Sequence, residues 1–137
     1  MPHKKTFSLK NIISIGLSVS FLALASTAQA GDKDKGERLY RACAVCHSTE
    51  AGINKVGPTL HNIMGQSAAA VEGYRYSKAF IAYGEAGNAW TEESMDVFLT
   101  SPRKAVPRTK MGYPGMRKAE DRENIIAYLS SLSEGAE

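Results

Sequence analysis

Cys43-Ala44-Val45-Cys46-His47 is the stretch on which the reading of this 137-residue chain turns. The spacing C-x-x-C-H is that of a covalent heme attachment site. Two thiols separated by two residues reach the adjacent vinyl groups of one porphyrin, and each adds across one of them. Both sulfurs become thioethers, so neither ligates iron, and His47 supplies an imidazole nitrogen as the proximal ligand. A bare C-x-x-C is ambiguous with a thioredoxin-like dithiol or half of a zinc site. No second cysteine pair follows, which argues against zinc, and the βαβ pattern expected around a redox dithiol is missing. A disulfide within the pair is the plain structural alternative, but it gives the neighbouring histidine no part to play.

The motif lies beyond a segment that does not belong to the folded domain. His3, Lys4, Lys5 and Lys10 form a basic head, residues 12–25 are a short apolar run, and Ala28-Gln29-Ala30 is an A-x-A cleavage site. This is the pattern of a secretory signal peptide over residues 1–30, cleaved after Ala30. A retained membrane anchor fits less well, because the run falls short of the roughly 20 apolar residues a spanning helix needs. Residues 31–137 are then one domain. Export agrees with the motif, since bacterial heme attachment takes place outside the cytoplasmic membrane, and the expected location is the periplasm. Loss of Lys4, Lys5 and Lys10 leaves fourteen bases against fourteen acids. The pI near 8.9 of the whole chain is therefore no sign of nucleic-acid binding. Charge is nonetheless unevenly placed. Arg103, Lys104, Arg108, Lys110, Arg117 and Lys118 occupy Ser101 to Lys118 without one acid, whereas acids crowd residues 85–96 and 120–123. Such a dipolar chain can orient towards an acidic partner in a salt-dependent way; an ordinary solvated loop is the blander account.

Periodicity predicts an all-α domain of short helices and long loops. Asp32 or Asp34 caps a first helix running towards Cys43, with Gly36 inside it, where glycine costs about 1 kcal/mol against alanine unless a close helix crossing needs it. Thr59 to Met64 is expected as a short helix ended by Gly65, and Gln66 to Arg75 as loop. Ser77 caps a helix over Lys78 to Tyr83, stopped by Gly84. Thr91 caps another, with Met95, Phe98 and Leu99 on one face and Pro102 at its end. Residues 101–118 carry three prolines and two glycines, and neither helix nor central strand is expected there. The final helix starts at Glu120 and Asp121, with Ile125, Tyr128, Leu129 and Leu132 as its apolar stripe. Loops this long are suspect in a small bare domain. They make sense if they line a large prosthetic group that fills the core.

An electron-transfer heme has both axial positions filled, and methionine opposite histidine raises the reduction potential. Met64 and Met95 read as core. Met111 and Met116 share the proline-stiffened loop, which can hold a thioether at fixed depth, and the loop alone leaves both open. His61 reads as surface-exposed on a short polar helix.

Taken in order, Gly36 and Tyr40, the C-x-x-C-H motif, Gly57-Pro58-Thr59-Leu60-His61, Gly73-Tyr74-Arg75-Tyr76, Trp90, Pro107-Arg108-Thr109-Lys110-Met111 and Ile125-Ile126-Ala127-Tyr128-Leu129 resemble the small soluble class I cytochromes c. The resemblance runs from Gly31 to about Leu132. It implies the class I cytochrome c fold, short helices and long loops wrapped around one covalent heme c held by Cys43 and Cys46. It also implies His47 as proximal and Met111 as distal iron ligand, ahead of Met116. Pro58 would accept a hydrogen bond from His47, and Tyr76 and Trp90 would hold a buried propionate. Gly36 and Tyr40 would pack on Ile125 and Tyr128 where the terminal helices cross, and Lys110 and nearby bases would ring the exposed heme edge. The chain departs from the mitochondrial pattern in about three added residues between Tyr76 and Trp90, in Gln66 near a propionate, in Phe98 near the methionine, and in Tyr113 at the heme edge.

The expected function is a one-electron shuttle, not an enzyme, with no small-molecule substrate. Its expected partners are redox proteins, either membrane respiratory complexes or periplasmic dehydrogenases and reductases. They would dock transiently near Arg103–Lys118 on a monomer. An enzyme or ligand sensor with five-coordinate heme is the rival, and requires that Met111 does not bind. A permanently bound subunit would call for a wide apolar patch, of which the sequence gives no sign.

Overall fold

The computed structural model describes residue 1 and residues 31–134; the expected leader, Met1 apart, lies outside the described residues. Among the described residues five helices follow one another, α1 (Lys33–Tyr40), α2 (Lys78–Glu85), α3 (Glu92–Thr100), α4 (Pro102–Ala105) and α5 (Ala119–Glu134). Among the described residues the only sheet-like pairing is an isolated antiparallel bridge between Ser67 and Ala89. No described helix is long and apolar enough to cross a membrane.

Local chemistry accounts for where the helices begin. Asp32, not Asp34, caps α1, its carboxylate accepting from the amides of Asp34 and Lys35. Ser77 caps α2. Thr91 and Ser94 satisfy each other's backbone amides in a capping box at α3. The four-residue α4 stands where no helix is expected. Proline at its first position lacks only an amide that a helix start leaves unpaired, and its fixed φ suits the turn. Conversely, Thr59 to Met64 forms turns and no helix. Leu60 N donates to the distant Ser48 O, and Asn62 has φ +49°, outside the right-handed region. Helix α2 runs through Gly84 to Glu85. A Cβ at Gly84 would lie 2.1 Å from the Ala68 carbonyl oxygen, so the glycine permits a close approach to the neighbouring loop.

The terminal helices α1 and α5 pack across each other. A Cβ on Gly36 would sit 2.0 Å from Asn124 O and 2.7 Å from Tyr128 Cβ, so only glycine allows this crossing. The expected packing on Tyr128 is present, and Asn124 is the nearest neighbour of Gly36. The Tyr40 and Tyr128 rings meet at 5.4 Å. Asn124, buried at the crossing, accepts from Asp32 N at 2.8 Å and ties the start of α1 to α5. The remaining core is Ile63, Trp90, Met95, Phe98, Leu99, Val106, Ile125, Ile126 and Leu129. Trp90 meets Phe80, Tyr83 and Phe98 at ring distances of 5.0–6.2 Å. Buried residues on α3 and α5 thus present one wall, and the loops close around the space before it.

Candidate heme site

That space is a cavity of about 690 Å³ lined mainly by apolar side chains, within the roughly 300–1,000 Å³ of cofactor sites. Cys43, Cys46 and His47 line one side. The chain reaches them in turns that continue α1: Cys43 N and Ala44 N donate to Tyr40 O, and Cys46 N and His47 N to Cys43 O. Both cysteines are half-buried free thiols and not a disulfide. Burial, with the Cys46 thiol beside it, holds the Cys43 thiol above its ordinary pKa.

The geometry of His47 fixes its tautomer. Nδ1 lies 2.7 Å from Pro58 O, and a carbonyl can only accept, so Nδ1 carries the proton and Nε2 keeps its lone pair. Burial lowers the imidazole pKa and the nearby Lys55 charge adds to this; the Pro58 carbonyl acts in the opposite direction. The ring is gripped closely. A Cβ on Gly57 would lie 2.4 Å from His47 Cε1, so the backbone at residue 57 lies flat against the imidazole. Tyr40 donates from its hydroxyl to His47 O at 3.1 Å, and burial pushes that hydroxyl's pKa up to about 12.

Met111 and Met116 both line the same cavity. Met95 lines it too, from the α3 wall and nearly fully buried, whereas Met64 packs on the core away from it. Pro58, Tyr76 and Trp90 are all on the lining, as are Phe98 and Tyr113. Gln66 is not; its amide donates to Asn62 O at 2.8 Å. The aromatic system extends from Trp90 through Phe80, which stacks on Tyr76 at 5.4 Å. Phe80 lies on α2, in the interval between Tyr76 and Trp90 that is about three residues longer than in the mitochondrial pattern, and it lines the cavity although no motif pointed to it.

One expectation about this region is corrected. His61 is half-buried on a turn, with Nδ1 3.2 Å from Thr49 O, and is not an exposed residue of a polar helix. Of the six bases between residues 103 and 118, Lys110 lines the cavity itself. Its exposed neighbours on the lining are Val45 and Val56, 77% and 78% accessible, with Gly112 and Pro114. Thr59 was an unassigned part of its motif. Its buried hydroxyl reaches Glu50 O at 2.7 Å and accepts from His61 N, knitting the loop behind His47.

An apolar slot lined by two thiols, a tautomer-fixed imidazole and a thioether-bearing loop suits a covalently held porphyrin. The Cytochrome c family model matches residues 33–133. The chain belongs to the cytochrome c family. It is 42% identical over 98 residues to cytochrome c2 of Afifella marina, covering 71% of this chain and 79% of that protein. Cytochrome c of Euglena viridis is 39% identical over 105 residues, covering 76% of this chain and all of the relative. Among solved structures, cytochrome cH from Methylobacterium extorquens superposes with a TM-score of 0.67 at 35% identity, over 74% of this chain and 99% of the other. The chain is thus a small class I cytochrome c that carries heme c on Cys43 and Cys46. It acts as an electron carrier that hands electrons between redox proteins, not as an enzyme.

Proposed function

We propose that this cytochrome c is a periplasmic one-electron shuttle whose heme is ligated by His47 and Met111. The observation that carries the reading is the 2.7 Å contact of His47 Nδ1 with Pro58 O. It leaves Nε2 as the free donor on a residue lining the same cavity as Met111. When bound, heme supplies an Fe(II)/Fe(III) couple. Around it the protein contributes orientation and dryness: Gly57 and Pro58 hold the imidazole, Phe98, Leu99 and Leu129 exclude water, and the 106–118 loop presents a thioether. Two filled axial positions leave no place for oxygen or peroxide, which matches a carrier and not a catalyst. Tyr76 and Trp90 are the candidates to hold a propionate, from the aromatic end of the lining.

Partners of the expected class, membrane respiratory complexes or periplasmic dehydrogenases and reductases, would be steered by the bases of residues 103–118 and seated on the apolar mouth at Val45 and Val56. Charged residues around a small apolar contact suit a transient interface. Export with cleavage after Ala30 predicts Gly31 as the first residue of the mature protein, which N-terminal sequencing of exported protein checks.

The optical spectrum of the exported protein tests the ligand set. The parent should show the weak methionine-to-ferric-iron band at the red end, Met111→Ala should lose it, and Met116→Ala should keep it. A parent that binds carbon monoxide readily at neutral pH ends the six-coordinate reading, and retention of the band in Met111→Ala moves the ligand to Met116.

A further inference from the structure

The segment that presents Met111 is nearly free of hydrogen bonds on its own account. Met111 N donates to Thr109 Oγ1 at 3.2 Å, and among the described residues Gly112 to Gly115 add no hydrogen bond. Its far end is different. Met116 N donates to Leu99 O at 2.8 Å, and a Cβ on Gly115, whose φ is +106°, would stand 2.2 Å from Thr100 O. Arg122 of α5 then reaches over this end. Nη1 donates to Met116 O at 2.9 Å and to Arg117 O at 3.1 Å, while Nε donates to Asp96 Oδ1 of α3 at 2.6 Å.

We infer that Arg122, oriented by Asp96, is a positioning residue that latches the methionine loop against α3 and α5. The inference rests on Met111 as a ligand and adds what keeps it there. Three features argue for a latch and against a surface ion pair. The Arg122 side chain is only 12% accessible, so its charge needs a partner and Asp96 supplies one. The planar guanidinium serves three acceptors from two elements at once, which an ammonium cannot copy. The acceptors are main-chain carbonyls of the loop itself, so moving the guanidinium moves the backbone leading back to Met111. With little else holding residues 112–115, slack at residue 116 is transmitted five residues upstream.

The test is competition at the sixth position. Ferric protein is titrated with free imidazole, and loss of the methionine band is followed in the parent, Arg122→Lys, Asp96→Ala and Gly36→Ala. Arg122→Lys and Asp96→Ala should take up imidazole at concentrations at least about tenfold lower than the parent. Gly36→Ala, which disturbs the helix crossing and not the loop, should titrate like the parent despite its lower stability in denaturant. Unchanged titrations in Arg122→Lys and Asp96→Ala overturn the latch, as does an equal change in Gly36→Ala. A parent without the methionine band refutes the Met111 reading and the latch with it; a parent with the band and unmoved variants refutes the latch alone.

Discussion

Two of the loops that line the cavity are held in opposite ways. On the histidine side, residues 47–60 are knotted by hydrogen bonds. Gly57 N donates to Cys46 O, Leu60 N to Ser48 O and Lys55 N to Gly57 O. Lys55 Nζ reaches Ala44 O, Asn54 Oδ1 accepts from Thr59 N, and Tyr74 OH donates to Val56 O. On the methionine side, residues 106–118 rely on a few ties concentrated at the ends. On the proposed ligand set, His47 is placed by a densely bonded loop and Met111 by a loop with few ties. A strongly bound histidine and a displaceable methionine are then expected, because opening the second loop disrupts few buried groups.

The comparison can be broken most forcefully at the ligands. His47→Ala should abolish recovery of stable heme protein, whereas Met111→Ala should remain red and gain carbon monoxide binding when reduced; heme content per chain and the carbon monoxide difference spectrum read both. Next come the glycines. Gly57→Ala drives a methyl into the imidazole and should lower unfolding free energy by about 2–3 kcal/mol. Gly112→Ala, with nothing within 4 Å of its Cβ, should stay within about 0.5 kcal/mol in the same denaturant titration. A smaller contrast separates the two threonines. Thr59→Val strands buried main-chain groups and should cost about 2 kcal/mol. Thr109→Val, which removes one part-buried contact to Met111 N, should cost about 1 kcal/mol or less. Equal losses in the two would mean that the loops are equally framed. The least effect on stability is expected from Lys110→Ala, whose exposed ammonium lies 3.4 Å from Arg75 O. It should change unfolding by no more than about 0.5 kcal/mol, yet reduce the salt dependence of electron transfer to an acidic partner, measured by stopped flow.

Much of the site was readable because its residues are close together in the chain. Cys43, Cys46 and His47 form one motif, and Pro58 follows eleven residues later. The helix caps at Asp32, Ser77 and Thr91 are equally local, since each side chain bonds amides two or three residues on. Thr59 to Met64 misled for the converse reason. Its apolar spacing permits a helix, but Thr59 spends its hydroxyl on distant carbonyls and Asn62 takes a left-handed φ. The Arg122–Asp96 pair joins residues 26 positions apart, and no periodicity relates them. Nor could residues 101–118, read as one basic loop, disclose that a single lysine among them would reach the cavity.

By itself the sequence determined the covalent chemistry, the helical class and the choice of glycine at residue 36, because each depends on spacing or on the absence of a side chain. Tertiary structure decided that Met95, Met111 and Met116 but not Met64 line the cavity, that exposed Val45 and Val56 lie on its lining, and how unequally the two loops are fastened. Those outcomes depend on which distant groups meet when α1 and α5 cross and the loops close, and hydrogen bonds between remote carbonyls and side chains leave no periodic trace along a chain.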